Sequence, residues 1–305
     1  MSGAASDTTT SRIRHRRFLL SVPWPVFRGN ERRHAAEDVR QLAPEEIEHR
    51  PIAVCVVGTG AIGQTVIDAL RDDVVPHVSV AAVLDSRSSP EEASAAFDVA
   101  DIVVEAATVD AARTLLPEVV KRGKDIIVCS CGVFAERGFD VEPFGSGPGR
   151  VLLPTGAIGG FDVLAAATRA GSRDARLTHT TIKRPGALGI EECLDAERTV
   201  FRGSAREAAL AFPRTSNSSV ALALATLGLD RVEVVVIADP AAASTRHVVE
   251  WESPLGRYEL TFENTIDPAS SGRTSAITAW SVIEVLAALS LGIGPGAVVL
   301  GPPRR

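Results

Sequence analysis

The amino-acid sequence predicts an α/β protein in which a doubly wound parallel sheet is followed by a second, α+β domain. Three observations predict this fold class. A continuous apolar run of strand length begins at Ile52 and ends in a glycine-rich turn. Strand-like and helix-like segments then alternate at the spacing of a parallel sheet up to about residue 170. Beyond that point strand patterns predominate and the polar connections between them are longer.

The first folded domain is assigned to residues 51–160. Its opening run, I-A-V-C-V-V at 52–57, is apolar throughout, as in a strand that is buried on both faces of a parallel sheet. The elements predicted after it are a helix at 61–71, strands at 78–84 and 102–105, a helix at 110–122, and strands at 125–130 and 150–153.

The second domain is assigned to residues 161–305. The turn S-P-L-G at 253–256 separates two alternating runs and so predicts a hairpin. The pattern as a whole indicates one sheet covered on one side. Its predicted strands lie at 176–182, 232–237, 246–252 and 258–262, and its helices at 161–170, 204–212, 219–227 and 274–291.

The first fifty residues differ from the rest of the chain. They contain a basic cluster at 12–17, and no apolar period runs through them. No acidic residue occurs between Asp7 and Glu31, which is a feature of organellar transit peptides. The simpler interpretation is a disordered or loosely docked N-terminal extension over residues 1–50.

Composition restricts the function classes. The chain has 305 residues, 45% of them hydrophobic, and a net charge of −6, so we expect no electrostatically driven nucleic-acid binding. The apolar stretch at 280–300 contains Glu284 and is cut by G-P-G at 294–296, which favours a buried helix over a membrane span.

The four cysteines show no Cys-x-x-Cys spacing, so we expect reduced thiols in a cytoplasmic protein and no metal site. Cys129 and Cys131 follow the fourth predicted strand. Because no histidine is near them in sequence, they are interpreted as small packing residues and not as nucleophiles.

A glycine-rich motif, G-T-G-A-I-G at 58–63, lies between the first strand and the first helix. In a Rossmann-type domain such glycines form the tight turn, let the backbone approach a pyrophosphate, and allow the helix to pack on the strand, while the helix N-terminus attracts the phosphates. The motif therefore predicts a dinucleotide site. Its predicted cofactor-binding residues are Gly58, Gly60, Ala61, Ile62 and Gly63.

Asp85 ends the second predicted strand at about the offset expected of the acid that binds the adenosine ribose. A carboxylate there favours NAD, because it accepts hydrogen bonds from ribose hydroxyls and repels a 2′-phosphate. Arg87 and the serines at 86, 88 and 89 follow at once and offer groups that bind such a phosphate. The cofactor prediction is therefore NAD or NADP.

Several later segments resemble the L-aspartate dehydrogenase family. The segment L-P-T-G-A-I-G-G-F-D at 153–162 is similar to the family's P-S-G-A-I-G-G-x-D. The resemblance covers residues 52–291 and excludes the N-terminal extension. Further matches follow in order: T-I-K-R-P at 181–185, V-F-R-G-S-A-R-E-A at 200–208, F-P at 212–213, A-D-P at 238–240, and His247.

This resemblance implies oxidative deamination of L-aspartate to iminoaspartate or oxaloacetate plus ammonia, with NAD or NADP as hydride acceptor. It further implies a link to pyridine nucleotide biosynthesis and a homodimer. By motif position His247 matches the catalytic histidine, Asn217 an asparagine near the nicotinamide, and Ala157 a cofactor-contacting backbone position. The family's F-P-x-N-x-N-V-A-A reads F-P-R-T-S-N-S-S-V here at 212–220, a departure that concerns substrate identity.

The chemistry of such a reaction agrees with these residue types. Histidine has both protonation states near neutrality and can therefore move the protons that imine hydrolysis requires. A dicarboxylic substrate needs cations, for which Lys183 and Arg184 are the predicted substrate-binding residues and Arg246 is a third candidate.

Two alternative functions stay open at this point. The first is a related two-domain NAD(P) dehydrogenase that acts on another small amino or keto acid. The second is a catalytically silent protein that senses the cofactor, which the altered segment at 215–219 and the N-terminal extension both suggest.

Overall fold

Two five-stranded sheets with helices packed on them make up the computed structural model, which describes residues 50–139, 147–171, 173–270 and 274–292. Residues 49–305 form one compact unit by the contacts between their Cα atoms. The extension predicted for residues 1–50 lies outside the described residues except for Arg50.

The first sheet is entirely parallel, and its strand order is β2-β1-β3-β4-β5. Its strands are β1 (Ile52–Val57), β2 (Val78–Leu84), β3 (Ile102–Glu105), β4 (Asp125–Val128) and β5 (Val151–Leu152). The helices that connect the first four strands are α1 (Ala61–Arg71), α2 (Pro90–Val99) and α3 (Val109–Lys121).

Both faces of this sheet are buried, as the unbroken apolar runs predict. In β1, the side chain of Cys55 packs in the hydrophobic cluster that contains residues of α2 and α3, whereas Val54 and Val56 pack in a second cluster with residues of α1. Successive side chains of a strand point to opposite faces, so these helices cover opposite sides of the sheet. The doubly wound Rossmann-type sheet is confirmed.

Helix α2 is absent from the sequence prediction because Phe97 is its one large buried apolar residue. Its start nevertheless carries a strong local signal. The Ser89 side chain accepts from the Glu92 amide, the Glu92 carboxylate accepts from the Ser89 amide, and Pro90 occupies the first helical position. This capping box, and not hydrophobic periodicity, defines the helix.

The second sheet is mixed, with strand order β10-β9-β6-β8-β7. Strands β6 and β8 are parallel and the other neighbours are antiparallel. Its strands are β6 (Arg176–Lys183), β7 (Arg198–Ser204), β8 (Glu233–Ala238), β9 (Thr245–Ser253) and β10 (Gly256–Asn264). Residues of α4 (Phe161–Ala170), α5 (Ala205–Ala211) and α6 (Asn217–Ala225) share a core with the inner side chains of this sheet. The α+β second domain is confirmed, while edge strand β7, which has a bulge and few buried side chains, was not predicted.

The last described helix, α7 (Ile277–Leu291), packs against α1. Val282, Ile283 and Leu286 lie in the same hydrophobic cluster as Val66 and Leu70 of α1. The chain therefore returns to the first sheet, although sequence order assigned residues 161–305 to the second domain. The division near residue 160 stays a prediction. In the described ranges, no helix is long and apolar enough to cross a membrane.

Candidate active site

The glycine motif after β1 has the geometry that a dinucleotide requires. Gly58 has φ +102°, and a Cβ there would lie 2.5 Å from the carbonyl oxygen of Ala106. A Cβ on Gly63 would lie 1.9 Å from the carbonyl oxygen of Gly58, so α1 can approach the turn only with glycine at this position. A Cβ on Gly60, in contrast, would meet no atom within 4 Å, and the space beside it is open to a ligand.

The N-terminus of α1 offers free backbone donors to that space. No side chain caps this helix, whereas Ser89, Thr108 and Ser204 cap α2, α3 and α5. The amides of the first turn, residues 61–63, have no carbonyl partner within a helix, and the helix dipole adds partial positive charge there. An anionic pyrophosphate fits this arrangement.

Asp85 and Arg87 form an ion pair just beyond β2. The Asp85 carboxylate accepts from the Arg87 amide and guanidinium, with Nη2 2.5 Å from Oδ2. These hydrogen bonds lower the pKa of Asp85, so the carboxylate is ionised at neutral pH. The Arg87 side chain is 88% exposed, which leaves its guanidinium accessible. The two groups that favour NAD and NADP therefore lie side by side.

A cleft lies beside the glycine motif, between the end of β4, the start of α6 and strand β9. It contains residues from both sheets and from the segment that precedes α7. Its lining consists of Ile62, Cys129, Cys131, Pro154, Gly156, Ala157, Lys183, Arg214, Thr215, Asn217, Ser218, His247, Thr274, Ser275 and Thr278.

His247 is buried in the wall of this cleft. Its Nδ1 lies 3.1 Å from Nε2 of His179 and 3.1 Å from Oγ1 of Thr181. Its Nε2 is buried and has no hydrogen-bond partner among the residues that the structure describes. Burial, and then the nearby His179 and Lys183, hold the pKa of His247 well below its usual value. The imidazole is therefore neutral at neutral pH, and one ring nitrogen is available to a molecule in the cleft.

His179 lies behind His247 on the neighbouring strand β6. The two rings stack with centroids 5.2 Å apart, and Nδ1 of His179 lies 2.9 Å from Oγ of Ser219. Burial, and then Lys183, lower the pKa of His179 to about 4. No role is predicted for His179 from the sequence alone. The signal that it contained is the alternation of His179, Thr181 and Lys183, which places all three on one face of β6.

Of the three cations predicted to meet a carboxylate, the structure brings only Lys183 to the cleft. Its ammonium group is buried, and burial lowers its pKa to about 8. Arg184 follows it at the end of β6, is exposed, and lines a separate surface pocket with Pro185 and Cys193. Arg246 precedes His247 on β9 and is likewise exposed. Adjacent residues of an extended chain point to opposite sides, which explains why the neighbours of Lys183 and His247 do not reach the cleft.

Arg214 supplies a second cation that the sequence analysis missed. It lies between α5 and α6, directly after the F-P match at 212–213, so its proximity to Asn217 was the available signal. Two of the departures from the family's motif, Thr215 and Ser218, also line the cleft.

Asn217 and Ala157, the two residues predicted to contact the cofactor, both line the cleft, and both make internal hydrogen bonds. Oδ1 of Asn217 accepts from the Gly132 amide at 3.0 Å, which joins α6 to the turn after β4. The Ala157 amide donates to Oγ of Ser218, and its carbonyl accepts from Nδ2 of Asn264. The amide group of Asn217 retains its own donors, whereas Ala157 presents a backbone that is already hydrogen-bonded. Their contacts with a cofactor stay a prediction.

Ser275 is a further cleft residue that the sequence analysis missed. Its hydroxyl is buried and, like Nε2 of His247, finds no hydrogen-bond partner in the described ranges. Among the described residues, Nε2 of His247 and Oγ of Ser275 are the buried side-chain nitrogen and oxygen atoms that lack a hydrogen-bond partner. Both residues line the same cleft. Because an unpaired buried polar atom costs about 1–3 kcal/mol, the pair indicates a site that a polar ligand completes.

Glu105 lies behind the part of the cleft wall that contains Cys129 and Cys131. Its buried carboxylate accepts from the amides of Ala107 and Ser130 and from the Ser130 hydroxyl, and so joins the ends of β3 and β4. Burial, and then the Glu105 carboxylate, raise the pKa of Cys129 and of Cys131. Both cysteines are therefore neutral thiols, and small packing residues are what the geometry supports.

Comparison with protein families gives two matches along the chain. The family described as "Aspartate dehydrogenase, C-terminal" matches residues 162–289. The family described as "Homoserine dehydrogenase, NAD binding domain" matches residues 58–141. The first match contains every strand of the second sheet, and the second match contains strands β2, β3 and β4 of the first sheet.

Similar proteins extend over most of the chain. The L-aspartate dehydrogenase of Methanothermobacter thermautotrophicus is 34% identical over 260 residues, which cover 80% of this chain and 98% of that protein. The L-aspartate dehydrogenase of Methanopyrus kandleri is 33% identical over 272 residues, 81% of this chain and 99% of that one. The crystal structure of aspartate dehydrogenase from Thermotoga maritima superimposes with a TM-score of 0.59 at 28% identity and covers 82% of this chain and 99% of its own.

Proposed function

Because the chain belongs to the L-aspartate dehydrogenase family, we propose that it oxidises L-aspartate to iminoaspartate, which water converts to oxaloacetate and ammonia, with NAD or NADP as hydride acceptor. The observation that carries the proposal is the pair of unpartnered polar atoms, Nε2 of His247 and Oγ of Ser275, in one cleft with two cations. A polar, anionic substrate gives both atoms a partner and is attracted by the two cations.

Recognition of the substrate falls to Lys183 and Arg214. Aspartate carries two carboxylates, and the cleft provides an ammonium group and a guanidinium group to meet them. The Ser275 hydroxyl is positioned to donate to a carboxylate oxygen, which removes the cost of its burial.

The cofactor is held by the residues of the glycine motif, Gly58 to Gly63, and by Asp85 or Arg87 at the adenosine ribose. NAD or NADP, when bound, supplies the acceptor for the hydride that leaves Cα. As that C–H bond breaks, the nitrogen lone pair forms the C=N bond of iminoaspartate, so the amine must be neutral beforehand. Cys129 and Cys131 in this wall are buried neutral thiols, so the wall presents no competing nucleophile.

His247 is the proposed catalytic base. Its Nε2 is neutral and unpartnered, so it can accept a proton from the substrate ammonium before oxidation. It then serves in hydrolysis, where Nε2 accepts a proton from the water that attacks the imine carbon. Return of a proton to the nitrogen allows the C–N bond to break and releases ammonia and oxaloacetate.

The proposal extends to location and assembly. The four cysteines are free thiols, which supports a reducing compartment and hence the cytoplasm. The second sheet turns a face with the partly exposed β-branched residues Thr180 and Val248 away from its helices, and this face supports a homodimer. Sedimentation velocity tests that assembly. Released iminoaspartate would feed pyridine nucleotide biosynthesis.

A second candidate is a dehydrogenase for another small acidic amino acid. The observation that favours it is that Thr215 and Ser218, which replace residues of the family's motif, both line the cleft. Their hydroxyls add polar groups to the wall against which the substrate lies.

The experiment that tests the proposal is a nicotinamide absorbance assay at 340 nm. NAD and NADP are each combined with L-aspartate, D-aspartate, L-glutamate, L-homoserine and L-alanine. We expect L-aspartate to have the highest kcat/KM, by at least about tenfold. A higher value for another amino acid would support the second candidate, and cofactor binding without turnover of any of them would indicate a sensing protein.

A further inference from the structure

We propose that His179 is a positioning residue: through Nε2 it holds the proton of His247 on Nδ1, so that Nε2 of His247 faces the cleft unprotonated. The inference rests on the proposed function, in which His247 is the base. It concerns a residue that makes no contact with the cleft itself and that acts only through its neighbour.

The geometry permits two proton arrangements in this pair. Two unprotonated nitrogens 3.1 Å apart would repel, so one of the facing atoms, Nδ1 of His247 or Nε2 of His179, carries a proton. In the first arrangement His247 donates to His179, and His179 donates through Nδ1 to Oγ of Ser219. In the second, both donations reverse and an N–H group of His247 faces the cleft. A neutral imidazole has one donor and one acceptor nitrogen, so the choice at Ser219 and the choice at His247 are coupled.

Charge in the cleft selects the first arrangement. Lys183 on β6 and Arg214 before α6 line the same cleft as His247, whose Nδ1 is turned to His179 and whose Nε2 therefore lies on the opposite side of the ring. Two cations favour a lone pair over an N–H group at that atom. The remaining titratable neighbours, Cys129 and Cys131 at the end of β4, are neutral thiols and do not oppose this preference.

The arrangement also helps once His247 takes up a proton. The imidazolium then donates through Nδ1 to a neutral His179, and hydrogen bonds to charged groups are stronger than those between neutral ones. His179 stays neutral because burial makes its own protonation unfavourable at neutral pH. It therefore plays the part of an acceptor without bringing a negative charge into the core. Thr181, whose hydroxyl lies 3.1 Å from the same Nδ1, is a weaker second acceptor.

The test compares His179→Gln with His179→Leu. Glutamine supplies a neutral oxygen that accepts from Nδ1 of His247, whereas leucine fills space without accepting. Loss of a hydrogen bond to a charged group corresponds to a fall of about 10- to 100-fold in kcat. We expect that loss for H179L, with the acid limb of the kcat/KM profile displaced to lower pH because the imidazolium loses its acceptor. H179Q should retain kcat within about fivefold and an unshifted acid limb.

If His179 served only in packing, H179L would have the higher kcat of the two variants, because leucine suits an apolar core better than glutamine does. The proposal is overturned if H179L equals or exceeds H179Q in kcat with an unshifted acid limb. A second readout requires no turnover: ¹⁵N spectra of the histidine rings report which nitrogen of His247 carries the proton. We expect the proton of His247 on Nδ1 in the wild type and in H179Q, and on Nε2 in the H179L/T181V double variant.

The two readouts separate this inference from the proposed function. If the wild type does not oxidise aspartate but His247 shows the Nδ1 proton and loses it in H179L/T181V, the positioning role stands and the substrate assignment fails. A proton on Nε2 in the wild type removes the positioning role whatever the substrate is.

Discussion

The glycine motif and the histidine pair are built in opposite ways. The motif at 58–63 binds through backbone, and its residues matter because they lack atoms: a Cβ at Gly58 or Gly63 would overlap a carbonyl oxygen. The histidine site consists of side chains. His179 on β6 and His247 on β9 lie within hydrogen-bond distance of each other, and each is also within that distance of a hydroxyl on another element, Ser219 of α6 or Thr181 of β6. A backbone site of this kind is local in the sequence, whereas the side-chain site exists only after the chain has folded.

The largest effect is expected at the side-chain site. His247→Ala removes the proposed base and should lower kcat by about 10²- to 10⁴-fold, the range of general acid–base catalysis. The dissociation constants of NAD and NADP, measured by calorimetry, should stay within about twofold because the glycine motif is untouched. The control is His77→Asn, an exposed loop residue with φ 59°, a conformation that asparagine tolerates. Full turnover by His247→Ala would remove His247 from the mechanism.

A smaller effect is expected at the backbone site. Gly60→Ala places a methyl group in the open space beside the α1 N-terminus, where no protein atom lies within 4 Å. We expect the dissociation constant of the cofactor to rise about 10- to 100-fold while the free energy of unfolding changes by less than about 1 kcal/mol. Gly186→Ala is the matched control, since a Cβ there also meets no atom within 4 Å but Gly186 lies outside the cleft. Equal cofactor affinity in the two variants would contradict the assignment of the motif.

This difference explains how much the sequence could predict. The strands of the first sheet follow from contiguous apolar runs, and the fold confirms the doubly wound sheet. The glycine motif follows from six adjacent residues. Local motifs also identified His247, Lys183 and Asn217 as candidate site residues, and all three line the cleft. Helix α2 and strand β7 were missed because capping and edge pairing leave little hydrophobic pattern.

The residues missed at the site share one property, which is that their role depends on pairing between distant segments. His179 meets His247 only because β6 lies beside β9, which sets Thr181 opposite His247. Ser275 reaches the cleft because the segment before α7 returns to the first sheet. Arg184 shows the converse error: it adjoins Lys183 in sequence, but the alternation of an extended chain turns it to the surface.

The smallest expected effect concerns Lys183. The fall of its pKa from 10.5 to about 8 corresponds to about 3 kcal/mol that folding spends on keeping a cation buried. A lysine with a lowered pKa is charged below that pKa, so an anion that needs the charge binds well below pH 8 and loses affinity as the pH rises through about 8. Succinate is the suitable probe, because it is a dicarboxylate without an amine that would titrate in the same range.

We expect the inhibition constant of succinate to rise towards tenfold per pH unit above about pH 8 in the wild type. Lys183→Met should weaken succinate about tenfold at pH 7, abolish this pH dependence, and raise the free energy of unfolding at pH 7 by about 1–3 kcal/mol, since the cost of burying the ammonium disappears. The backbone site offers no such exchange, because alanine at Gly63 harms both packing and binding. A gain in stability together with a loss of affinity is what distinguishes a residue retained for binding from one retained for the fold. A Lys183→Met variant that loses stability and keeps its affinity for succinate would place Lys183 in the second class.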